Sequence, residues 1–478
     1  MIQYSNYING TFVDSEGAER ITVTNPATGE VISEVPESSS EQVEAAIRAA
    51  EAAQPGWAAL PAAARAKHLH QLAAKLREKV EALARVITEE QGKTLPLARV
   101  EVNFTADYID YMAEWGRRIE GEIMESDRPK ENIFLFRKPL GVVVGILPWN
   151  FPFFLIARKL APALICGNSI VIKPSEETPN NAFEFFKVLH ETDLPAGIAN
   201  LVSGYGASVG RTLTESPKVA MVSFTGSVET GTRIMAAAAE NITRVNLELG
   251  GKAPAIVTDK ADLELAATAI QASRVINSGQ VCNCAERIYV QRGVAESFTA
   301  KLVEKMKAAR YGNPLEDETL DFGPMINQAG YEKVVDLLDR AVKDGAKILC
   351  GGKRGAGDDG YFFEPTVVAN CNQQMDIVRK EIFGPVVPIV VFDELDEAIA
   401  MANDTEYGLT SSVYSNDINE AMNLVEALKF GETYINRENF EAMQGYHAGW
   451  RKSGIGGADG KHGLYEFLQT QVVYLQRS

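Results

Sequence analysis

The sequence is poor in cysteine, histidine and tryptophan, and it has fewer basic residues than acidic ones. Its 478 residues include five Cys, five His and four Trp, and 64 Asp and Glu against 47 Lys and Arg give a net charge of −17. So few cysteines, and an odd number of them, argue against a disulfide framework and favour the reducing cytoplasm. The acidic balance argues against nucleic-acid or membrane-surface partners, since both require a basic face.

Long hydrophobic runs are also scarce, and the best candidate for a membrane span is interrupted. Residues 140–157 contain Asn150 as their only strongly polar residue. Two glycines and two prolines break the run, namely Gly141, Gly145, Pro148 and Pro152. The pattern therefore predicts a buried strand, a tight turn and the start of a helix, and no membrane helix of about 20 residues. No signal-peptide pattern opens the chain.

The sequence does contain regular alternation of short apolar runs and helical stretches. The runs form two series, at 142–146, 169–172, 199–202 and 220–224, and then at 255–257, 288–290, 387–391 and 411–414. This alternation predicts parallel, buried strands and hence two doubly wound α/β domains. A last apolar strand, 470–475, has no partner nearby in the sequence, so we expect a second subunit to supply one.

The segment Ser278-Gly-Gln-Val-Cys282-Asn-Cys284 offers a candidate nucleophile. A thiol attacks as its thiolate and needs space for a substrate, and Gly279 lets another part of the backbone approach closely. Two alternatives remain at this point. The cysteines could be buried structural residues, or part of a metal site, although zinc needs about four ligands and no second Cys or His cluster exists.

Two further motifs carry groups that would assist a nucleophile. In Leu247-Glu-Leu-Gly-Gly-Lys252, a carboxylate at an apolar strand end should have a raised pKa, as a general base requires; it could instead cap a strand or pair with Lys252. In Pro148-Trp-Asn-Phe-Pro152, the Asn150 amide could donate to an oxyanion, or could merely satisfy the backbone of a rigid turn.

Two segments that follow predicted strands are candidates for cofactor binding. Lys173-Pro-Ser-Glu176 stands where α/β sheets bind ligands, and its charged side chains suit ribose hydroxyls; the alternative is a solvated loop. Residues 224–231 follow another strand and lead into a helix, so their amides could face a pyrophosphate.

Taken in order, these motifs resemble the NAD(P)-dependent aldehyde dehydrogenases. The resemblance runs from Tyr7 to Ile455 and rests on residues 148–152, 173–176, 224–227, 248–252, 279–282 and 381–385. It implies a Rossmann-like cofactor domain (1–119 and 139–247) and a catalytic domain (248–450). It also implies a β oligomerisation arm with a C-terminal tail (120–138 and 451–478), and hence a homodimer or homotetramer.

The resemblance also implies the roles of the catalytic residues. Cys282 attacks the aldehyde to form a thiohemiacetal, and the Asn150 amide holds the oxyanion together with the Cys282 backbone N–H. Hydride transfer to the nicotinamide leaves a thioester, and Glu248 activates the water that hydrolyses it to a carboxylic acid. Cys284 is then a neighbour of the nucleophile and has no catalytic role.

The same resemblance implies a set of cofactor-binding residues. They are Pro148, Trp149, Lys173, Ser175, Glu176, Arg211, Gly226, Ser227, Leu249, Lys333, Glu381 and Phe383. Glu176 beside the ribose 2′-hydroxyl would repel a 2′-phosphate, so NAD is favoured, while Arg211 would soften that preference toward NADP.

Four polar residues occupy positions that the family often lines with apolar side chains. They are Arg158, Asn283, Glu441 and His447. Singly, each could point to solvent or pair with another; together they predict a small polar substrate, because buried polar groups reject substrates that leave them unpaired. The segment 434–454 is similar to the lactaldehyde and glycolaldehyde dehydrogenases within the family.

Two other functions remain open. Arg158 could clamp the carboxylate of an acidic semialdehyde such as succinate semialdehyde. The chain could also be a non-catalytic structural relative, although the presence of Cys282, Glu248 and Asn150 together argues against that. No metal is expected.

Overall fold

The computed structural model describes residues 2–15, 19–355 and 360–478. Short strands and then long helices make up the N-terminal part: β1 (Ile2–Gln3), β2 (Asn6–Ile8), β3 (Thr11–Val13), β4 (Arg20–Thr24), β5 (Val31–Pro36), α1 (Ser40–Ala59), α2 (Ala62–Glu78), α3 (Val80–Gln91) and α4 (Leu95–Ala113). Helix α1 begins at a capping box, in which Ser39 and Gln42 satisfy each other's backbone N–H groups.

Alternating strands and helices follow the helical part. Up to the middle of the chain they are β6 (Glu122–Glu125), β7 (Glu131–Pro139), β8 (Val142–Ile146), α5 (Phe154–Ile165), β9 (Ser169–Lys173), α6 (Asn180–His190), β10 (Ala199–Leu201), α7 (Arg211–Glu215), β11 (Val219–Gly226), α8 (Val228–Ala239) and β12 (Arg244–Leu249).

A second alternating series occupies most of the C-terminal half. It contains β13 (Ala253–Val257), α9 (Leu263–Val275), β14 (Ala285–Gln291), α10 (Arg292–Ala308), α11 (Gln328–Lys343), β15 (Lys347–Cys350), β16 (Thr366–Ala369), α12 (Asp376–Arg379), β17 (Val386–Phe392), α13 (Leu395–Asn403), β18 (Thr410–Tyr414), α14 (Ile418–Ala427) and β19 (Glu432–Ile435). The chain ends with β20 (Gly454–Ile455), α15 (Gly460–Glu466) and β21 (Leu468–Gln476).

Two large sheets organise these elements. One has the strand order β20-β12-β11-β8-β9-β10-β2-β3 and the other β15-β16-β17-β14-β13-β18-β19. Their central strands are parallel, and every residue of β8, β9, β13 and β18 is buried. The prediction of two doubly wound α/β units from the two series of apolar runs is therefore confirmed.

Two smaller sheets lie beside the large ones. One joins β1, β5 and β4, and the other has the order β21-β7-β6. Strand β21 pairs with β7 from Leu468 opposite Pro139 to Gln476 opposite Glu131. The expectation that this C-terminal strand needs a second subunit for a partner is thus wrong, because β7 of its own chain supplies the hydrogen bonds.

The described part of the chain contains no helix that is both long and apolar enough to cross a membrane. The apolar run at 140–157 instead forms β8, a turn and the first part of α5, as its glycines and prolines predict. The turn brings Asn150 to the carboxyl end of β8, where the parallel strands of the first sheet present their loops.

Candidate active site

A cavity of about 290 Å³ brings the predicted catalytic residues together. Asn150 comes from the loop after β8, Glu248 from the carboxyl end of β12, and Cys282 from the loop between α9 and β14; all three line the cavity. Residues up to 132 positions apart in the sequence thus share one site.

The loop that carries Cys282 owes its shape to a run of left-handed residues. Asn277, Ser278 and Gly279 have φ values of 48°, 60° and 72°. A Cβ atom on Gly279 would lie 2.4 Å from the carbonyl oxygen of Gly384, so the close approach expected of this glycine is present. The turn directs Cys282 toward the cavity, where it is partly exposed.

Cys284 lies in a different environment from Cys282. Its thiol is buried, donates to the carbonyl of Val281 at 3.0 Å, and accepts a hydrogen bond from Arg274 Nη1 at 2.8 Å. Burial raises the pKa of Cys284 to about 12. A thiol with such a pKa is unreactive at neutral pH, so the geometry favours Cys282 as the nucleophile. Within the described residues, no three or more His, Cys, Asp and Glu side chains are grouped to hold a metal ion.

Asn150 is held by both its backbone and its side chain. Its carbonyl oxygen accepts from Lys93 Nζ at 2.8 Å and from Asn277 Nδ2 at 3.0 Å. Its own Nδ2 donates to the Gln280 carbonyl at 3.0 Å. An amide nitrogen carries two hydrogens, so after this bond one hydrogen is left that can serve an oxyanion. The Asn150 side chain can therefore stabilise the turn and also donate to an oxyanion.

A fully buried ion pair stands behind Asn150. Lys93 donates to Glu101 Oε2, and Glu101 Oε1 accepts the backbone N–H groups of Phe153 at 2.9 Å and Phe154 at 3.0 Å. The pair thus fixes the loop of Asn150 at one end and the first turn of α5 at the other. Sequence reasoning missed both charged residues, since nothing near them in the chain indicates a functional site.

The surroundings of Glu248 do not produce the raised pKa that its motif predicts. The Thr225 hydroxyl donates to Glu248 Oε2 at 2.5 Å, and Lys159 Nζ lies 3.8 Å from the same oxygen. Burial acts to raise the pKa of Glu248, but Lys159, then Arg158 and His447, together with the Thr225 hydroxyl, hold it below the usual range. The expected raised pKa is therefore wrong, because these cations outweigh desolvation.

The surroundings of Glu248 also decide between its two interpretations. Lys252, its expected partner in a purely structural role, pairs instead with Glu286 at 2.7 Å. Glu248 Oε2 is held by Thr225, whereas Oε1 is buried and has no hydrogen-bond partner among the described residues. One carboxylate oxygen is thus oriented by the protein and the other is left to accept a proton in the cavity.

All four predicted substrate-binding residues line the same cavity, and three of them form one buried cluster. Arg158 donates to Asp459 at 3.1 and 2.6 Å and to Glu441 Oε1 at 3.0 Å. Asn283 Nδ2 donates to Glu441 Oε2 at 2.5 Å. These side chains pair with one another and also face the cavity. Mutual pairing and contact with a polar substrate are therefore compatible.

His447 is the fourth of these residues and lies next to the nucleophile. Its Nδ1 is 2.5 Å from Glu432 Oε1, and both His447 and Cys282 line the cavity. Burial acts to lower the pKa of His447, but Glu432 and then Cys282 raise it well above its ordinary value. The contact with Glu432 therefore favours the protonated form of the imidazole.

Two partners of these four residues were not predicted from the sequence. Asp459 lies 301 residues from its partner Arg158, in Gly456-Gly-Ala-Asp-Gly460, and has a φ of 69°. An aspartate set among glycines was the one local signal of an unusual position. Glu432, the partner of His447, begins an ordinary strand and gave no signal.

One wall of the cavity is apolar, which was not expected from the four polar residues that predict a polar substrate. Helix α4 supplies Leu97, Val100 and Phe104, whose spacing of three and four residues places them on one face. The ring of Phe104 lies 5.7 Å from that of Phe440 on the opposite loop. The cavity therefore has an inner end formed by the polar residues around Arg158 and an outer wall formed by the apolar residues of α4 and by Phe440.

Eight of the predicted cofactor residues line the other side of the cavity. They are Pro148, Trp149, Gly226, Ser227, Leu249, Lys333, Glu381 and Phe383. Ser227 is the N-cap of α8 and accepts from Thr230 N at 3.2 Å, so the helix N-terminus faces this side. A Cβ on Gly250 would lie 2.7 Å from Glu381 Oε1. Amides at a helix N-terminus and a glycine-bounded cleft fit a dinucleotide.

The remaining four cofactor candidates lie outside this cavity. Lys173 Nζ donates to the Pro174 carbonyl at 3.0 Å and lies 3.5 Å from Glu176 Oε2, and Ser175 Oγ accepts from Glu177 N at 3.3 Å. Arg211 is largely exposed and pairs with Glu215 at 2.8 Å on its own helix. Lys173 and Glu176 are thus brought together, whereas Arg211 points away into its own ion pair.

A cleft that fits a dinucleotide lies beside the thiol of Cys282, near the carboxyl ends of the parallel central strands. This combination is typical of a dehydrogenase that oxidises aldehydes. The chain belongs to the Aldehyde dehydrogenase family, whose model matches residues 12–473, and it is an NAD(P)-dependent oxidoreductase acting on aldehydes. The family and the enzyme class predicted from the motifs are confirmed.

Individual relatives are similar along their whole length. The lactaldehyde dehydrogenase of Escherichia coli (strain K12) is 61% identical over 475 residues, with 99% of each chain covered. The crystal structure of lactaldehyde dehydrogenase from Escherichia coli matches with a TM-score of 0.98 over 99% of both chains, also at 61% identity. The 3,6-anhydro-alpha-L-galactose dehydrogenase of Vibrio sp. (strain EJY3) is 41% identical over 478 residues, 99% of each chain.

Proposed function

We propose that this enzyme oxidises a small hydroxyaldehyde, such as lactaldehyde or glycolaldehyde, to its carboxylic acid with NAD as the preferred cofactor. The observation that carries the proposal is the buried cluster in which Arg158 is shared between Asp459 and Glu441 while Asn283 binds Glu441. Such a cluster rewards a substrate with hydroxyl groups and penalises a purely apolar one. The similarity to lactaldehyde dehydrogenase supports the same substrate class.

In the first step, the Cys282 thiolate attacks the carbonyl carbon of the aldehyde. A C–S bond forms, and the carbonyl oxygen becomes the oxyanion of a thiohemiacetal. The free hydrogen of the Asn150 amide and the Cys282 backbone N–H would hold that oxyanion. The clamp of Lys93 and Asn277 on the Asn150 carbonyl keeps the donor in place before the substrate arrives.

When bound, NAD(P) supplies a hydride acceptor for the oxidation of the thiohemiacetal. Glu381, Phe383 and Leu249 would hold its nicotinamide half, and the α8 N-terminus at Ser227 its pyrophosphate. Loss of the hydride leaves the acyl group on Cys282 as a thioester.

Glu248 then completes the reaction as a general base. Its depressed pKa keeps the carboxylate ionised over the working range of pH, and its Oε1 is available to take a proton from water. The hydroxide attacks the thioester carbon, the C–S bond breaks, and Cys282 leaves as the thiolate with the carboxylic acid as product.

The charge balance of the cluster favours a hydroxyaldehyde over an acidic semialdehyde. Arg158 already contacts two carboxylates, those of Asp459 and Glu441, so the cluster has more negative than positive charge. A substrate carboxylate would be repelled by both before it reached the guanidinium. A non-catalytic role is disfavoured because Cys282, Glu248 and Asn150 share one cavity.

NAD is proposed over NADP from the charges at the adenosine side. Glu176 lies beside Lys173 and would repel a 2′-phosphate, and Arg211, which would attract it, is engaged with Glu215. We further propose a cytoplasmic homodimer or homotetramer assembled through the arm at 120–138 and 451–478. The cofactor domain would comprise 1–119 and 139–247, and the catalytic domain 248–450.

Steady-state kinetics with a panel of aldehydes test the proposal. NADH formation is followed with glycolaldehyde, L-lactaldehyde, succinate semialdehyde and hexanal, and Cys282→Ser serves as the inactive control. We expect the highest kcat/KM for the two hydroxyaldehydes and a loss of at least about a thousandfold in the serine variant. A preference for hexanal or for succinate semialdehyde would contradict the substrate assignment.

A further inference from the structure

We infer that Glu432 is a positioning residue for the nucleophile: it orients His447 and keeps it protonated, so that an imidazolium N–H faces Cys282 and stabilises the thiolate before substrate binds. The inference rests on the proposed role of Cys282. It concerns a residue that lies behind His447, outside the lining of the cavity, and so must act through the imidazole.

The carboxylate of Glu432 is held on both oxygens. Oε1 lies 2.5 Å from His447 Nδ1, and Oε2 accepts from the Tyr434 hydroxyl at 2.5 Å. Its backbone is fixed as well, since its N–H donates to Leu409 O at 3.1 Å and its carbonyl accepts from Ser411 Oγ at 3.2 Å. The carboxylate therefore presents a fixed acceptor to one nitrogen of His447.

His447 is equally constrained. It is 2% exposed, and its backbone N–H and carbonyl pair with Ala458 at 2.9 and 2.8 Å. Because Nδ1 faces Glu432, Nε2 is the nitrogen left to face the cavity that His447 shares with Cys282. An acid, an imidazole and a thiol in a row form the arrangement that activates cysteine nucleophiles on unrelated folds.

The charges that face His447 come from several elements. Those within its electrostatic reach are Glu432 from β19, Arg158 from α5, Glu248 from β12, Glu441 and Asp459 from the C-terminal loops, and Cys282 itself. The carboxylates outnumber the single guanidinium. A buried histidine among them is stabilised as the cation, and Glu432 is the one in direct contact.

The test follows alkylation of Cys282 by iodoacetamide in the intact enzyme without substrate, between pH 5.5 and 9.5. Mass spectrometry of the labelled peptide identifies the reacting cysteine. In Glu432→Gln we expect the alkylation rate at pH 6.5 to fall at least about tenfold, and the pH of half-maximal rate to rise by about one unit. At pH 9.5 both enzymes should react at the same rate, which also shows that the site is intact.

Control variants separate this inference from its alternatives. Glu406→Gln removes an exposed carboxylate that pairs with Lys452, and it should leave the profile unchanged. His447→Gln should reproduce the Glu432→Gln shift, and it serves in its place if that variant does not fold. An unchanged profile in these variants would overturn the inference. If the labelled peptide in the wild-type enzyme lacked Cys282, the proposed function itself would fail.

Discussion

Two buried charge clusters flank the nucleophile, and they are built differently. The Asn150 clamp consists of Lys93, Glu101 and Asn277; it pairs one cation with one anion, and its other hydrogen bonds end on backbone groups. The Arg158 cluster consists of Arg158, Asp459, Glu441 and Asn283; it has one guanidinium for two carboxylates and joins side chain to side chain.

The two clusters therefore serve different purposes: the Asn150 clamp supports the chemical step, and the Arg158 cluster selects the substrate. Bonds from the Asn150 clamp to the backbone fix a loop that every aldehyde would use in the same way. In the Arg158 cluster, Asn283 Oδ1 is buried and has no partner among the described residues, so an acceptor is left for a substrate that brings a donor. Breaking the clamp should therefore affect all substrates alike, and breaking the cluster should affect hydroxyaldehydes most.

The largest effect is expected from Glu101→Gln, which breaks the clamp. A buried Lys93 without its counter-ion costs about 3–5 kcal/mol of stability, and loss of a well-placed oxyanion donor costs about 100- to 1,000-fold in kcat. The measurements are chemical denaturation and kcat with glycolaldehyde and propanal. The two aldehydes should lose activity in equal proportion; a loss confined to glycolaldehyde would place Glu101 with the selectivity cluster.

A smaller and selective effect is expected from Arg158→Ala. Removing the guanidinium leaves Asp459 and Glu441 without their shared partner, so the hydroxyl-binding geometry is lost. KM for glycolaldehyde and L-lactaldehyde should rise about ten- to a hundredfold, which corresponds to roughly 1.4–2.8 kcal/mol. KM for propanal, measured in the same preparation, should change by less than about threefold. Equal increases for all three would show that the cluster has only a structural role.

Glu248 lines the same cavity as residues of both clusters, and its pKa tests the electrostatics of the Arg158 side. Because its pKa is depressed, the carboxylate stays ionised and deacylation should not fall between pH 8 and pH 5. Thr225→Val removes a hydrogen bond to the charged form, so the pKa should rise and deacylation at pH 5 should fall by about threefold. Single-turnover decay of the thioester gives the rate. A deacylation rate that falls as the pH drops below about 6–7 in the wild-type enzyme would contradict this. It would mean that desolvation outweighs the nearby cations and raises the pKa of Glu248.

The same sign argument applies to folding stability. Since the folded-state pKa of Glu248 lies below that of the unfolded chain, its ionised form stabilises the fold above about pH 4.5, and this contribution is lost as the pH falls through the folded pKa. His447 acts in the opposite direction. Its raised pKa stabilises the fold fully below about pH 6.5, and that contribution is lost as the pH rises through the folded pKa.

The sequence could predict whatever is encoded locally. Apolar runs such as 142–146 and 255–257 identified strands buried on both faces, and Cys282, Glu248 and Asn150 each sit in a short motif whose residues shape their own surroundings. Gly279 is one example, because the close approach expected there is the contact with Gly384. Local motifs therefore sufficed for the fold class and for the candidate catalytic groups.

Interactions between distant segments could not be predicted in this way. Asp459 meets Arg158 across 301 residues, and Lys93 reaches Asn150 across 57. The pKa of Glu248 was predicted with the wrong sign because its strand shows only desolvation, whereas Lys159 and Arg158 reach it from α5. The apolar wall could not be predicted for the same reason, since Phe104 and Phe440 meet only in the folded chain.

The smallest effect on hydroxyaldehydes is expected from Phe440→Ala, which opens the apolar wall. Phe440 is exposed and packs edge-on against Phe104, so truncation removes apolar contact for a long chain and leaves the Arg158 cluster intact. KM for hexanal should rise about fivefold, the equivalent of roughly 1 kcal/mol of lost apolar burial, while KM for glycolaldehyde should change less than twofold. This pattern is the reverse of that for Arg158→Ala, and kinetics on both variants with both aldehydes measure it directly. If Phe440→Ala impaired glycolaldehyde as much as hexanal, the inner cluster and the outer wall would not act independently, and selectivity would have to be assigned to the cavity as a whole.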